Sequence, residues 1–198
     1  MDDRGEVVAI DANSRGVERI ARMAQRLGLS IVHPQVANVA TRQDVPLAST
    51  PQASTFHGSR FTVNPSFDCV LVDAPCSGLG TLRQHPEVRW RRTPADIAAL
   101  AGLQRKLLRA VAPSVRSGGV LVYSTCTLSI TENEEVIATF RDEHPDFAIE
   151  DPKPFLAASA HALIGDDGAL RTFPHHHGLD GFFAVRLKRR GGPGAWVP

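Results

Sequence analysis

Two cysteines stand where a nucleophile would be useful. Cys76 lies in Asp73-Ala74-Pro75-Cys76-Ser77-Gly78, at the end of the apolar run from Phe67 to Asp73. Cys126 lies in Tyr123-Ser124-Thr125-Cys126-Thr127, at the end of a second strand-like run from Val120 to Thr125. In an open α/β sheet, groups at the carboxyl ends of neighbouring strands face one crevice. Both thiols and the Asp73 carboxylate are therefore expected to converge on one pocket. A thiolate is the strongest common side-chain nucleophile near neutral pH, so the set points to covalent attack on an electrophilic ring or carbonyl. Taken singly, either cysteine could be a small buried residue, and Cys69, in mid-strand, is expected to be one.

The elements that must hold these groups follow from periodicity and caps. Glu6 to Asp11 reads as a short strand ending in Asp11. Asn13 or Ser14 caps a helix running to about Leu27, which Gly28 stops. Leu29 to Val36 reads as a strand placed at an edge by Pro34. Residues 42–66, rich in Pro, Ser, Thr and Gln, read as a long mobile loop. Phe67 to Asp73 is apolar enough for burial on both faces. Gly78 to Thr93 reads as an ordered loop across the mouth of the site. Thr93 caps a helix with Pro94 at its first position and Ile97, Leu100, Leu103, Leu107 and Val111 on its buried stripe. Gly118-Gly119 turns the chain into the strand Val120 to Thr125. Thr131 and Glu134 have the spacing of a capping box for a helix ending near Asp142. Short strands at Phe147 to Glu150 and Phe182 to Lys188 complete the chain. This order implies an α/β sheet of mostly parallel strands with an antiparallel C-terminal strand.

Composition sets the bounds. A chain of 198 residues, 42% apolar and 22% charged, suits one soluble domain with a real core. The net charge of +1 names no partner, but positive charge is gathered at Arg83, Arg89, Arg91 and Arg92 and again at Lys188, Arg189 and Arg190. An odd count of three cysteines argues against a disulfide framework and for a reducing, cytoplasmic setting. No signal sequence or long apolar span is evident, which argues against a membrane location.

Four motifs in order resemble the Sun-type (RsmB/Nop/Sun) RNA cytosine-5 methyltransferases. They are Asp73 to Gly78, Arg83-Gln-His-Pro-Glu-Val-Arg-Trp90, Tyr123 to Thr127 with Glu132-Asn133-Glu134, and Asp180-Gly-Phe-Phe183. The resemblance covers nearly the whole chain. It implies a Rossmann-like fold that uses S-adenosylmethionine on RNA, with 16S ribosomal RNA as the substrate of bacterial members. Carbon 5 of cytosine is a poor nucleophile until a thiolate adds to carbon 6. The resemblance makes Cys126 that thiolate, Cys76 the group assisting proton removal or release, and Asp73 a hydrogen-bonding partner of the base edge. It places the cofactor against Asp11, Asp73 and Pro75. For the adenine contact the nearest candidates are Asn38 and Asp44. It assigns RNA contacts to Arg83, His85, Arg89, Trp90 and Arg91.

The chain departs from the family at its start. Met1-Asp2-Asp3-Arg4-Gly5 holds no strand and glycine-rich turn for the methionine end of the cofactor. The expectation is a truncated catalytic domain over residues 1–198, lacking the first strand of the sheet. Alone it would bind the cofactor weakly or not at all, and a missing N-terminal segment or a partner chain would complete it. A second reading is a non-catalytic remnant that binds RNA or a partner. A third is a Cys–His hydrolase with His85 as base. Simpler roles stand beside the chemical ones. Asp11 could cap the following helix, and Asn133 and Glu134 are expected to be capping residues. His85 could bond within its loop, and Trp90 could pack beneath it. His175-His176-His177 reads as a polar loop, not a metal site, because adjacent histidines rarely reach tetrahedral geometry.

Overall fold

The computed structural model describes residues 3–41 and 67–191. The 42–66 loop, and Asp44 with it, lies outside the described residues. The chain forms two compact units, Met1–Phe61 and Thr62–Pro198.

The first unit is a β-α-β element. Strand β1 (Val7–Asp11) pairs in parallel with β2 (Val32–Val36), from Val7 opposite Val32 to Asp11 opposite Val36. Helix α1 (Ser14–Arg26) joins them. Asn13 caps it, its side chain accepting the Arg15 backbone N–H, and Gly28 ends it at φ +67°, a conformation glycine adopts without strain.

The second unit is a sheet of order β3-β4-β7-β5, with β6 also on β7. Strand β3 (Phe67–Asp73) runs parallel to β4 (Val115–Thr125). Strand β7 (Phe182–Arg189) is antiparallel to β4 and pairs with β5 (Phe147–Ile149) near its end and β6 (Leu170–Thr172) near its start. Two short helices, α2 (Val88–Arg91) and α5 (Pro174–His177), lie in connecting loops. Helices α3 (Pro94–Val111) and α4 (Glu134–Glu143) supply Ala101, Leu108, Val136, Ile137 and Phe140 to one core. Leu121 and Tyr123 of β4 and Phe183, Val185 and Leu187 of β7 meet them at the two-residue period of a half-covered sheet. Each large side chain buried here contributes about 1.5–3 kcal/mol. Among the described residues no helix is long and apolar enough to cross a membrane.

Four expectations are corrected. Strand β3 is covered on one face only: Val70 and Val72 pack on the core, whereas Leu71 is 65% exposed and Cys69 is exposed. A continuous apolar run does not distinguish one covered face from two. Strand β4 begins at Val115, not Val120. Gly118 at φ +72° lies within it, in an irregularity where Phe67 and Cys69 face Val115 and Val120. The most buried line of α3 is Ala101, Gln104 and Leu108, rotated from the apolar stripe read in the sequence, because a glutamine occupies its centre. No Thr131–Glu134 capping box forms: α4 starts at Glu134, Asn133 is its N-cap without a side-chain capping bond, and the Glu134 carboxylate pairs with Arg171.

Candidate active site

The parallel register of β3 and β4 sets Asp73 opposite Ser124, and the ladder continues one residue further through Ala74 N–H to Ser124 C=O. Pro75 then lacks the N–H to extend it, and the chain turns. Cys76 and Cys126 leave the two strand ends together, and their Sγ atoms lie 3.3 Å apart. Asp73 sits at the same rim, its Oδ1 accepting the Ser124 hydroxyl at 3.0 Å. The strand ends therefore bring the two thiols together with Asp73 at one rim, but none of the three lines the cleft described below.

Beneath the thiols lies a buried polar layer. Glu132 is fully buried. Its Oε1 accepts the Ser77 N–H at 2.8 Å and Gln104 Nε2 at 3.1 Å, and its Oε2 accepts the Ser77 hydroxyl at 2.5 Å. Ser77 Oγ also lies 2.8 Å from Thr127 Oγ1. Gln104 Nε2 donates to Pro75 O at 2.9 Å. Asn133 Oδ1 accepts the Thr125 hydroxyl at 2.6 Å, and Asn133 Nδ2 donates to Thr127 O at 3.0 Å. The Tyr123 hydroxyl donates to Glu132 O at 2.7 Å.

The thiol pair is electrostatically unequal. Cys126 is lowered to about 7, chiefly by its hydrogen bond with Cys76 and also by a backbone hydrogen bond; burial and the carboxylates of Asp73 and Glu132 oppose this. Cys76 is pushed far above the ordinary thiol range, first by that shared hydrogen bond, then by burial and by the charge on Cys126. Near neutral pH Cys126 is thus partly ionised, about half at pH 7, while Cys76 stays a thiol.

Two loops cross at the Cys126 backbone. Gly80 N–H donates to Cys126 O at 2.9 Å, and Gly181 N–H donates to Gly80 O at 2.8 Å. A Cβ on Gly80 would stand 1.9 Å from Gly181 O and 2.8 Å from Cys126 O, so only glycine permits this crossing. Arg83 donates to Gly178 O at 2.7 Å and Gln84 to Asp180 Oδ2 at 2.6 Å. These contacts frame an open cleft of about 580 Å³ whose lining includes Arg83, Ser124, Thr172, Phe182 and Ala184. Arg92 Nε donates to Ser77 O at 3.1 Å.

Comparison with known proteins decides the family. A model of the 16S rRNA methyltransferase RsmB/F family matches residues 1–188. The chain belongs to the RsmB/F family. The chain is 38% identical over 200 residues to a probable ribosomal RNA small subunit methyltransferase B of Bacillus subtilis, covering 96% of this chain and 39% of that protein. It is 37% identical over 187 residues to ribosomal RNA small subunit methyltransferase B of Thermus thermophilus, covering 93% and 39%. Among solved structures, PH0851 superposes with a TM-score of 0.78 at 30% identity, over 96% of this chain and 38% of that one. NSun6 from Pyrococcus horikoshii, crystallised with SFG, superposes at 0.74 and 28% identity, over 96% and 43%. The chain thus spans about 39% of the length of these curated relatives.

In this RsmB/F-family chain the other residues singled out from the sequence are distributed as follows. Trp90 is 83% exposed, with the Arg89 guanidinium 5.6 Å from its ring centre, so it does not pack beneath the loop. Arg91 is exposed beside it. His85 lies 3.5 Å from Glu87 within its own loop. His177 Nδ1 accepts the Phe173 N–H at 2.9 Å, inside α5. In the first unit the Asp11 carboxylate accepts the Asn13 N–H at 2.8 Å and lies over Gly16, where a Cβ would stand 2.1 Å from its Oδ2. Asn38 Oδ1 accepts the Ala40 N–H at 3.2 Å.

Gln104 was not legible as a site residue, and Ser77, Thr127, Glu132 and Asn133 were legible only as parts of motifs. The available signal was polarity in the wrong place: a glutamine on an apolar helix stripe and an acid between a strand end and a helix start.

Proposed function

We propose that this chain is the catalytic region of an RNA cytosine-5 methyltransferase acting on 16S ribosomal RNA, with S-adenosylmethionine as methyl donor. The observation that carries the reading is the 3.3 Å thiol pair in which Cys126 is the more acidic member. The Cys126 thiolate adds to carbon 6 of cytosine, Asp73 accepts a hydrogen bond from the base edge, and carbon 5 becomes an enamine carbon able to take a methyl group. Bound S-adenosylmethionine supplies that methyl as an electrophile on a sulfonium. After addition the Cys126 sulfur is a neutral thioether, so the two Cys126 contributions that hold Cys76 protonated vanish and only burial remains. Cys76 then releases its own proton to solvent and, as a thiolate, takes the carbon-5 proton; the carbon–hydrogen electron pair re-forms the carbon-5–carbon-6 double bond and expels Cys126 as a thiolate.

The residues of the first unit suit the ribose end of the donor. The Asp11 carboxylate stands at a strand terminus, where an acceptor for vicinal hydroxyls is placed in such folds. Asn38 is the first unit's candidate for the adenine; within the second unit, Asp73 and Pro75 are the candidates for the methyl-bearing end. On the RNA side, Arg83, His85, Arg89 and Arg91 contact phosphate or sugar and exposed Trp90 stacks on a base, with the target cytosine swung out of its stack. Strand β3 ends its sheet with Leu71 exposed, which supports a further strand pairing there, from a preceding segment or a partner chain.

The test is methyl incorporation into 16S rRNA by a protein carrying this chain. Cys126→Ala abolishes it, and Cys76→Ala accumulates a covalent RNA adduct on denaturing gels because release fails. Unchanged turnover by Cys76→Ala with no adduct overturns the roles given to the thiols. RNA binding with no methyl transfer by the parent protein supports the non-catalytic reading instead.

A further inference from the structure

Glu132 is a fully buried carboxylate, and among the described residues no cation lies within ion-pair distance of it. Such burial is costly unless each oxygen is satisfied. A cap cannot account for it, since α4 begins two residues later and its N-cap makes no side-chain capping bond. What its oxygens and the neighbouring amide hold is the chain on both sides of each cysteine. Glu132 grips Ser77, and Gln104, itself bonded to Glu132, grips Pro75: these are the residues flanking Cys76. Asn133 grips Thr125 and Thr127, the residues flanking Cys126. The Ser77–Thr127 hydroxyl contact joins the two halves. Because Glu132 and Asn133 are consecutive, one peptide unit sets the spacing between the two grips, and Tyr123 anchors that unit to β4.

We infer that Glu132 and Asn133 are positioning residues that clamp the two cysteine turns at the separation the thiol pair needs. The inference rests on the thiol roles proposed above. It does not require that either residue touch RNA or cofactor.

Two substitutions at Glu132 separate the clamp from its charge. Glutamine keeps an acceptor for the Ser77 N–H and Gln104, and its amide can donate to Ser77 Oγ, whose proton then turns to Thr127. Glu132→Gln thus keeps the clamp and removes a negative charge that, with Asp73, raises the Cys126 thiol. Glu132→Ala removes both, and the Cys76 hydrogen bond, the largest influence lowering Cys126, loses its geometry.

The experiment is the pH profile of iodoacetamide alkylation at Cys126 in a Cys69→Ser background, with bridging of Cys76 to Cys126 by dibromobimane as a distance gauge. The expected midpoint falls below the parent value for Glu132→Gln and rises above it for Glu132→Ala, and bridging drops only in the latter. Methyl transfer by Glu132→Ala falls about a hundredfold in kcat, the cost of roughly an ångström of misplacement, with RNA affinity retained. A purely structural carboxylate would not shift the midpoint in opposite senses. If both variants move it the same way, or Glu132→Ala bridges like the parent, the inference is overturned. Should Glu132→Ala not fold, Ser77→Ala serves: a raised midpoint with weaker bridging upholds the clamp, and an unchanged profile refutes it. Thiol chemistry is read without RNA, so split midpoints in a protein that transfers no methyl group would sink the proposed function and leave the clamp standing.

Discussion

Replacing Cys76 by alanine should slow Cys126 at neutral pH and speed it in alkali. The parent midpoint of about 7 leaves half of Cys126 ionised at pH 7, chiefly through the hydrogen bond from Cys76. Without that donor the largest downward influence is gone; burial and the carboxylates of Asp73 and Glu132 act upward against one remaining backbone hydrogen bond, so the midpoint rises toward the ordinary thiol value of 9.0. At pH 7 the thiolate population then falls about fiftyfold. The less acidic thiolate is intrinsically more reactive, by roughly eightfold over two pH units at a Brønsted slope near 0.45. The net expectation is alkylation of Cys126 about sixfold slower at pH 7 and about eightfold faster above pH 10, the profiles crossing near pH 8. The assay is iodoacetamide alkylation across pH in a Cys69→Ser background, with the labelled peptide quantified by mass spectrometry. Equal midpoints in the two proteins, or a variant slower at every pH, would refute the claim that Cys76 makes Cys126 a thiolate.

Other consequences follow from single contacts. Gly80→Ala forces a Cβ between two backbone carbonyls and should cost about 1–3 kcal/mol in urea unfolding, whereas an unchanged midpoint would mean that the crossing relaxes freely. Tyr123→Phe leaves the buried Glu132 carbonyl without its hydroxyl donor and should cost about 1–3 kcal/mol, measured in the same way. In the native chain Cys69, exposed on β3, should react with a bulky aromatic disulfide before Cys76 does. Protection of Cys69 in the parent protein would show that its face of the strand is covered.

Much of this architecture was written in local chemistry. Asn13 and Gly28 bounded α1, Thr93 with Pro94 opened α3, and apolar runs marked β3 and β7. The short strand β6 and helices α2 and α5 were not read from the sequence; elements of three or four residues give little period to read, and β5, equally short, was found by its apolar residues. Cys69 and Leu71 were misplaced for a different reason: exposure of a strand face depends on what packs against it, and an apolar side chain looks the same in either case. The capping box at Thr131 failed because the motif specifies only residue types, and Glu134 found a stronger partner in Arg171.

The amino-acid order alone determined that two thiols and an acid would end neighbouring strands of an α/β sheet, since strand periodicity and sheet geometry are properties of short stretches of chain. It also carried the family motifs that name the chemistry. Tertiary structure alone decided how closely the thiols approach and what holds the pair together. Those depend on a hydrogen bond between residues fifty positions apart, and on a buried acid reaching a serine fifty-five positions away. Such separations appear in sequence only as unconnected polar residues, because the proximity that gives them meaning is created by folding.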